Sequence, residues 1–424
     1  MRQSIVLGWL KDAWEIATSE LKRIFSDGGV VLIFFVAGML YPLLYNIVYI
    51  NGILEDTPLA VVDMADCSAS RRYIREVDAT RETKIAARCT TMEEAEKLMQ
   101  ERKVKGILYF PADFGDNLAA MRQATVGVYC DMSSFLYYKN ALMAVNHVML
   151  SEHVQIQIER YAKAGFTDQE AAQLVQGLPY GENNPYNAAF SYSIFLVSAI
   201  LLIIVQQTLF YGMSLLVGTV REKNHQYASL PPHLQGRGVG RVIFGRGSAY
   251  WLVYMGIAMY VAFIVPAIFG LPQRGNFWDI LLLLAIFVTD CVFFSMVWSS
   301  FITRRESVFL LFLFMSPICL FLTGASWPTF AIPGFWKVFS YLLPSTFAVQ
   351  AYLNMSVAGG GLTSAISQLN CLFLQMNIYL VLAFVAYYVE DWIFLHKDRI
   401  RSHRDQLDAK LGIDRQKMRS IIEG

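Results

Sequence analysis

A single apolar segment, Val30 to Ile50, is followed by about 140 mostly polar residues, and five more apolar segments then crowd into the remainder of the chain. A hydrocarbon core of roughly 30 Å is crossed by about 20 apolar residues in a helix. Six stretches reach that length: Val30 to Ile50, Phe190 to Val217, Ala249 to Leu271, Trp278 to Ile302, Val308 to Trp327 and Leu369 to Val389. The pattern predicts an α-helical polytopic membrane protein with six transmembrane helices in a 1+5 layout and a long insertion at 51–189. With 55% of its 424 residues hydrophobic and only 16% charged, the chain is too apolar for an ordinary soluble protein. The first segment reads as a span and not as a signal peptide, because no Ala-x-Ala-like cleavage site follows it.

Lys and Arg in the short connections set the orientation. Four lie in Met1 to Gly29, five in Gly218 to Ser248, two in Thr303 to Ser307 and eight in the tail from Glu390. The opposite connections, Pro272 to Phe277 and Pro328 to Gln368, carry one each. Both termini are therefore expected in the cytoplasm, and 51–189 on the outer side of the inner (plasma) membrane. The insertion holds 14 Lys/Arg against 19 Asp/Glu, but long domains translocate largely regardless of charge.

Before the first span, Leu7, Leu10, Trp14, Ala17, Leu21, Ile24 and Phe25 recur at steps of three and four among charged residues. This spacing predicts an amphipathic helix at the cytoplasmic interface within 1–29. The insertion alternates: strands are expected at Leu59 to Asp63, Lys84 to Arg88, Gly106 to Phe110 and Val126 to Cys130, with helices at Ser70 to Ala79, Met92 to Arg102 and Asp113 to Arg122. Such alternation predicts a small α/β domain. A long helix, Phe135 to Ala164, and a Gly/Pro/Asn-rich linker, Gly177 to Pro185, lead back to the membrane block 190–389. The tail 390–424 is basic and is expected to lie near anionic headgroups.

Few residues suggest chemistry. The run Gly236, Gly238, Gly240, Gly245, Gly247 lacks a Gly-Lys-Ser/Thr and a preceding strand, so it is expected to be a flexible loop. His147 and His153 are six apart and share no helix face, and His225 and His233 have no ligand partners nearby, so no metal site is expected. No serine sits in a Gly-x-Ser-x-Gly turn, which leaves a hydrolase unsupported. Asp290 lies near the centre of the fourth span, where a carboxylate costs on the order of 3 kcal/mol. Two readings stand: a polar element of a translocation route or proton site, or a packing hydrogen bond to Thr289 neighbours or to Gln206 and Gln207. Cys67 and Cys89 are either a disulfide, given an oxidising compartment, or free thiols. Between the last two spans, 324–352 is aromatic but broken by Pro328, Pro333, Gly334 and Pro344, which suits short helices dipping into the membrane.

In order along the chain, these features resemble the permease subunits of type-2 ABC exporters, in the subgroup with a large extracytoplasmic insertion after the first span. The similarity rests on the helix before the first span and on three runs of the insertion: Leu59-Ala-Val-Val-Asp63, Gly106 to Phe114 and Val126-Gly-Val-Tyr-Cys-Asp131. It also rests on Arg221-Glu222-Lys223 and on the stretch from Thr323-Gly324 through Pro328, Pro333 and Trp336 to Leu343-Pro344. Where the family commonly continues with a Gly-Thr-x-Glu run, this chain has Asn224 to Pro231 instead.

The resemblance implies that Arg221, Glu222, Lys223, Leu230 and Pro231 belong to an ATPase-coupling segment within 218–248, and that Gly324, Pro328, Pro333 and Pro344 shape a re-entrant stretch. It implies no covalent chemistry and no cofactor on this chain, with ATP and Mg bound by a separate ABC ATPase subunit. It further implies a homodimer or a pair with a sister permease, contact with membrane lipids, a periplasmic membrane-fusion adaptor as a candidate partner, and no nucleic acid. Lipids, drugs or other hydrophobic molecules would be the cargo. The competing reading is a membrane-anchored receptor or scaffold that binds through the outer domain; a single span would suffice for that. An intramembrane enzyme around Asp290 lacks a second catalytic group.

Overall fold

The structure, a computed structural model, describes residues 2–175, 186–187, 191–223, 230, 232–234 and 237–396. The expected linker Gly177 to Pro185, the segment Asn224 to Ser229 with Pro231, and the tail beyond His396 lie outside the described residues. The chain divides into two compact units: Met1–Ile50 with Pro185–Gly424, and Asn51–Asn184. The first unit opens with α1 (Arg2–Ser26) and α2 (Gly28–Val48), whose start is capped by the Asp27 carboxylate accepting from the amides of Gly29 and Val30.

The second unit is a four-stranded sheet with helices. Its elements are β1 (Thr57–Asp63), α3 (Ser68–Asp78), β2 (Thr83–Cys89), α4 (Met92–Gln100), β3 (Gly106–Phe110), α5 (Phe114–Ala119), β4 (Gly127–Cys130), α6 (Phe135–Lys163) and α7 (Asp168–Val175). The order is β2-β1-β3-β4, with β1 parallel to both neighbours and β4 antiparallel at the edge. The run Leu59-Ala-Val-Val is apolar at every position because β1 is covered on both faces. Leu59 and Val61 join Tyr73, Phe110 and Phe114 on one side, while Ala60 and Val62 join Cys89, Ala95 and Ile107 on the other. Cys67 packs with the first cluster and Cys89 with the second, on opposite faces of the sheet, and both thiols are free. The disulfide reading is thereby corrected.

The first unit continues with α8 (Tyr192–Lys223), α9 (Val239–Phe269), α10 (Phe277–Ser299) and α11 (Arg305–Leu322). Two short helices follow, α12 (Gly334–Ser340) and α13 (Pro344–Tyr352), and then α14 (Ile366–Leu395). Among the described residues, six helices of this unit, namely α2, α8, α9, α10, α11 and α14, are long and apolar enough to cross a membrane. Helix α8 is the axis of the bundle: α2, α10, α11 and α13 all pack on it. Phe34 of α2 stands edge-on to Tyr254 of α9, with ring centroids 4.7 Å apart, and covers Gly212 of α8 so closely that any Cβ there would run into its ring.

Helix α1 packs along α9. Its inward stripe is Ile16, Ala17, Glu20 and Ile24, whereas Leu7, Leu10, Trp14 and Phe25 stay exposed on the other side. Three glycines of the Gly-rich run are helical: Gly240, Gly245 and Gly247 lie inside α9, Gly238 precedes it with φ +112°, and Gly236 lies outside the described residues. A Cβ at Gly245 would sit 2.8 Å from the Ala13 carbonyl oxygen and 2.8 Å from Ile16 Cβ. Glycine is needed there because it lets two helix backbones approach closely. The polar connection predicted over 218–248 accordingly shrinks, since α8 runs to Lys223 and α9 begins at Val239.

Candidate functional site

One end of the bundle gathers charged side chains from four separated segments. Arg221, on the last turn of α8, donates from Nη1 to the Ser300 and Ile302 carbonyls after α10, the latter at 2.9 Å, and pairs with Glu390 of α14. Arg305 opens α11 and reaches Asp27 through both terminal nitrogens at 3.1 Å, with a further bond of 2.9 Å to Thr219 Oγ1. Glu222 is exposed, and its Oε1 accepts the Arg305 backbone N–H at 2.6 Å. That bond supplies an acceptor to one of the orphan amides at the start of α11.

The same end ties α1 to the first turn of α9 and to the segment before it. Asp12 meets Arg237 at 3.4 Å and Arg241 at 3.2 Å, and Glu15 lies 3.1 Å from His233 Nε2. Deeper in the seam, Glu20 accepts from Tyr250 Oη at 2.9 Å and lies 3.6 Å from both Arg246 Nε and Arg23 Nη1. Burial pulls the Arg23 guanidinium below its ordinary value, opposed by Glu20.

The expected coupling residues therefore separate. Arg221 is a largely buried internal tie across α8, the α10–α11 turn and α14. Of the five, Glu222 is the one with a described, exposed side chain; Leu230 is buried and Pro231 lies outside the described residues. Lys223 ends α8. Sequence reasoning missed Glu20, Asp27, Arg246, Arg305 and Glu390. Asp27, Arg246, Arg305 and Glu390 carried a signal, because each sits within three residues of an apolar segment, where a charge calls for a partner.

Asp290 is fully buried on α10. Neither of its carboxylate oxygens has a hydrogen-bond partner among the described residues. The packing partners expected for it are engaged elsewhere. Thr289 Oγ1 donates to the Ala285 carbonyl and accepts from Trp251 Nε1. Gln206 Oε1 accepts from the Ser345 amide at 2.5 Å, and Gln207 Nε2 donates to the Ser316 carbonyl at 3.3 Å. The two glutamines thus clamp α8 to α13 and α11, and the hydrogen-bonded packing reading of Asp290 is corrected.

The expected re-entrant stretch is a chain of short helices whose prolines sit at helix starts, while Gly324 follows the end of α11. Gly324 takes φ +83°, Pro328 precedes a single turn Thr329–Ala331, Pro333 precedes α12, and Pro344 is the first residue of α13. Proline suits these positions because the first amides of a helix have no partner to lose. A cavity of about 640 Å³ lies between α12–α13 and α14, lined by Lys337, Tyr341, Gln368, Gln375 and Tyr379 among others. Among the described residues, no three His, Cys, Asp or Glu side chains gather as a metal ion would require.

The family model described as ABC-2 family transporter protein matches residues 29–385, most of the chain and all six apolar helices in whole or large part. The chain belongs to this family. A search of the curated proteins finds no match. The molecule is thus a multi-pass permease of an ABC transporter, a transport component and not a catalytic one. The permease's matched region begins after α1 and stops short of Glu390, so Glu20, Asp27 and Glu390 lie outside it.

Proposed function

We propose that this permease belongs to an ATP-driven exporter that moves a lipid, drug or other hydrophobic molecule out of the cytoplasm or inner leaflet. In this reading the charged end of the bundle faces the cytoplasm of the inner membrane, with both termini, and residues 51–189 lie outside. Two ATPase subunits bearing ATP and Mg dock there, on a homodimer or on a pair with a sister permease, and a periplasmic adaptor meets the outer domain. The observation that carries the reading is the ion-pair lattice joining α1, the start of α9, the α10–α11 turn and the end of α14. A push on α1 or on the α8–α9 connection is transmitted through such a lattice to the ends of four apolar helices. Inward and outward arrangements of the permease pair are then two states biased by nucleotide.

Mild detergent extraction is expected to recover an ATPase with a Gly-x-x-x-x-Gly-Lys-Ser/Thr motif alongside the permease. Cysteines introduced at Ser364 are expected to react from outside, and those at Gly238 only from the cytoplasm. Glu222→Ala is expected to lower ATPase stimulation while insertion stays intact, because this carboxylate is exposed at the charged end of the bundle and holds the start of α11. Isolation of the chain alone, fully functional in an ATP-free membrane, would return the receptor or scaffold reading.

A further inference from the structure

The end of α9 far from the ion-pair lattice is built irregularly. Residues 260–264 widen into a π turn, in which the Val265 amide reaches back five residues to the Tyr260 carbonyl, and Pro266 follows at once. Proline carries no amide hydrogen, so the Ala262 carbonyl, four residues earlier, loses the donor that an α-helix would give it. Val261, Ala262 and Val265 are fully buried, and a carbonyl freed inside a span has to be satisfied by the protein itself.

Two side chains from outside α9 do this. Tyr352, at the end of α13 and 1% exposed, donates from Oη to the Ala262 carbonyl at 3.0 Å. Gln273, in the connection between α9 and α10, donates to the same oxygen from Nε2. That connection is also seated on the segment that follows Tyr352, where residues 353–357 form a second π turn. The Ser356 carbonyl accepts from the Arg274 amide at 2.8 Å, and a Cβ on Gly275 would lie 2.5 Å from the Met355 carbonyl oxygen. Only glycine permits so close an approach of two backbones.

Along α9 itself, the backbone bond that would stiffen 262–266 is missing, so bending there breaks none. The angle of the far end, 265–270, is held instead by the two side-chain bonds and by the seat of the connection on 353–357. Turns of the π type recur at functional sites, and two of them meet here through one oxygen. We propose that 262–266 is a hinge and that Tyr352 and Gln273 are its latch. Latched, the α9–α10 connection lies against 353–357; released, residues 265–276 swing away as a strap and open this end of the bundle between α9 and α13. Rotation of packed segments about a few residues is a common route between two arrangements of one protein. The inference rests on the geometry of α9 and is independent of the cargo and of the direction of transport.

The test is amide hydrogen exchange on the full-length chain in lipid nanodiscs, read by mass spectrometry over 267–275 and, as a reference, over 245–258 of the same helix. Tyr352→Phe keeps the ring and removes one donor; Gln273→Leu removes the other. Each is expected to speed exchange over 267–275 by about fivefold, the factor that a typical hydrogen bond contributes, with the reference stretch unchanged. Pro266→Ala returns an amide to the Ala262 carbonyl, so it is expected to slow exchange over 267–275 and to abolish the effect of Tyr352→Phe in the double variant. Exchange over 267–275 that is indifferent to both donors would overturn the latch, and so would equal acceleration of the two stretches, which marks a bond of the whole bundle. A Tyr352→Phe effect undiminished in the Pro266→Ala background would overturn the hinge.

Discussion

Glu20 of α1 and Arg246 of α9 face each other across a seam from which both are almost excluded from solvent: Oε2 and Nε lie 3.6 Å apart, and the side chains are 6% and 5% exposed. Glu20 also accepts from Tyr250, so one carboxylate anchors α1 to α9 twice. Removing one member of a buried pair leaves the other charge uncompensated, which costs about 3–5 kcal/mol, whereas replacing both by apolar residues is often near neutral. Glu20→Leu and Arg246→Met are each expected to lower the thermal midpoint markedly. The double variant should recover most of that loss, and a double variant as unstable as the singles would show that the pair is not a unit.

The α1–α9 crossing also depends on Gly245. A methyl group there meets the Ala13 carbonyl and Ile16 at 2.8 Å, and backbone cannot swing aside as a side-chain tip does. Gly245→Ala is expected to cost about 1–3 kcal/mol, as overpacking does. Gly256, on the same helix, has nothing within 4 Å of its would-be Cβ. Gly256→Ala should be neutral or slightly stabilising, because alanine gives up less backbone freedom than glycine. Thermal unfolding of the two variants side by side checks the contrast.

Asp290 gives the sharpest separation of folding from function. With both oxygens buried and unpaired among the described residues, its carboxyl contributes no hydrogen bond to packing there, and burying such a group carries a penalty of about 1–3 kcal/mol. Asp290→Asn and Asp290→Val are therefore expected to fold at least as well as the parent chain. Reconstituted transport is the discriminating readout: loss of transport in a protein of undiminished midpoint marks a polar element of the translocation route. A clear fall in stability in both variants would restore a structural role.

In the α/β unit, Arg72 forks onto Glu152 at 2.6 and 2.7 Å, linking α3 to α6. Beside them, burial raises the Glu76 carboxyl above its ordinary value near 4.5, reinforced by its hydrogen bond to Glu152 and by that residue's charge. A carboxyl raised in the folded state binds its proton more tightly there than when unfolded. Its favourable contribution is thus complete below about 4.5 and is lost as pH rises through the raised value. Amide-exchange protection of α3 and α6 is expected to decline on going from that range towards neutrality, and Glu76→Gln to flatten the decline. An unchanged slope in the variant would remove Glu76 as its source.

The six spans and the four strands were legible because each depends on local pattern. A run of about 20 apolar residues has few fates besides a membrane helix, and β1 declared itself through four consecutive apolar residues that two covering faces require. The breakers of 324–352 were legible for the same reason, since proline and glycine act on their own backbone. What the sequence could not decide was every feature set by a neighbour distant in the chain. Gly240, Gly245 and Gly247 read as loop residues because Arg241 and Arg246 interrupt the apolar run; α1 makes them helix by supplying Asp12 and Glu20 to those charges and by fitting against Gly245. Arg221 became an internal tie because the α10–α11 turn and Glu390 converge on it. Cys67 and Cys89 were parted by the side of the sheet each covers. Among the described residues Asp290 has no hydrogen-bond partner, because packing engaged Gln206 and Gln207 with other helices. Hydropathy and turn chemistry are properties of a segment, whereas the partner of a charge, a thiol or a glycine exists only once the chain has folded.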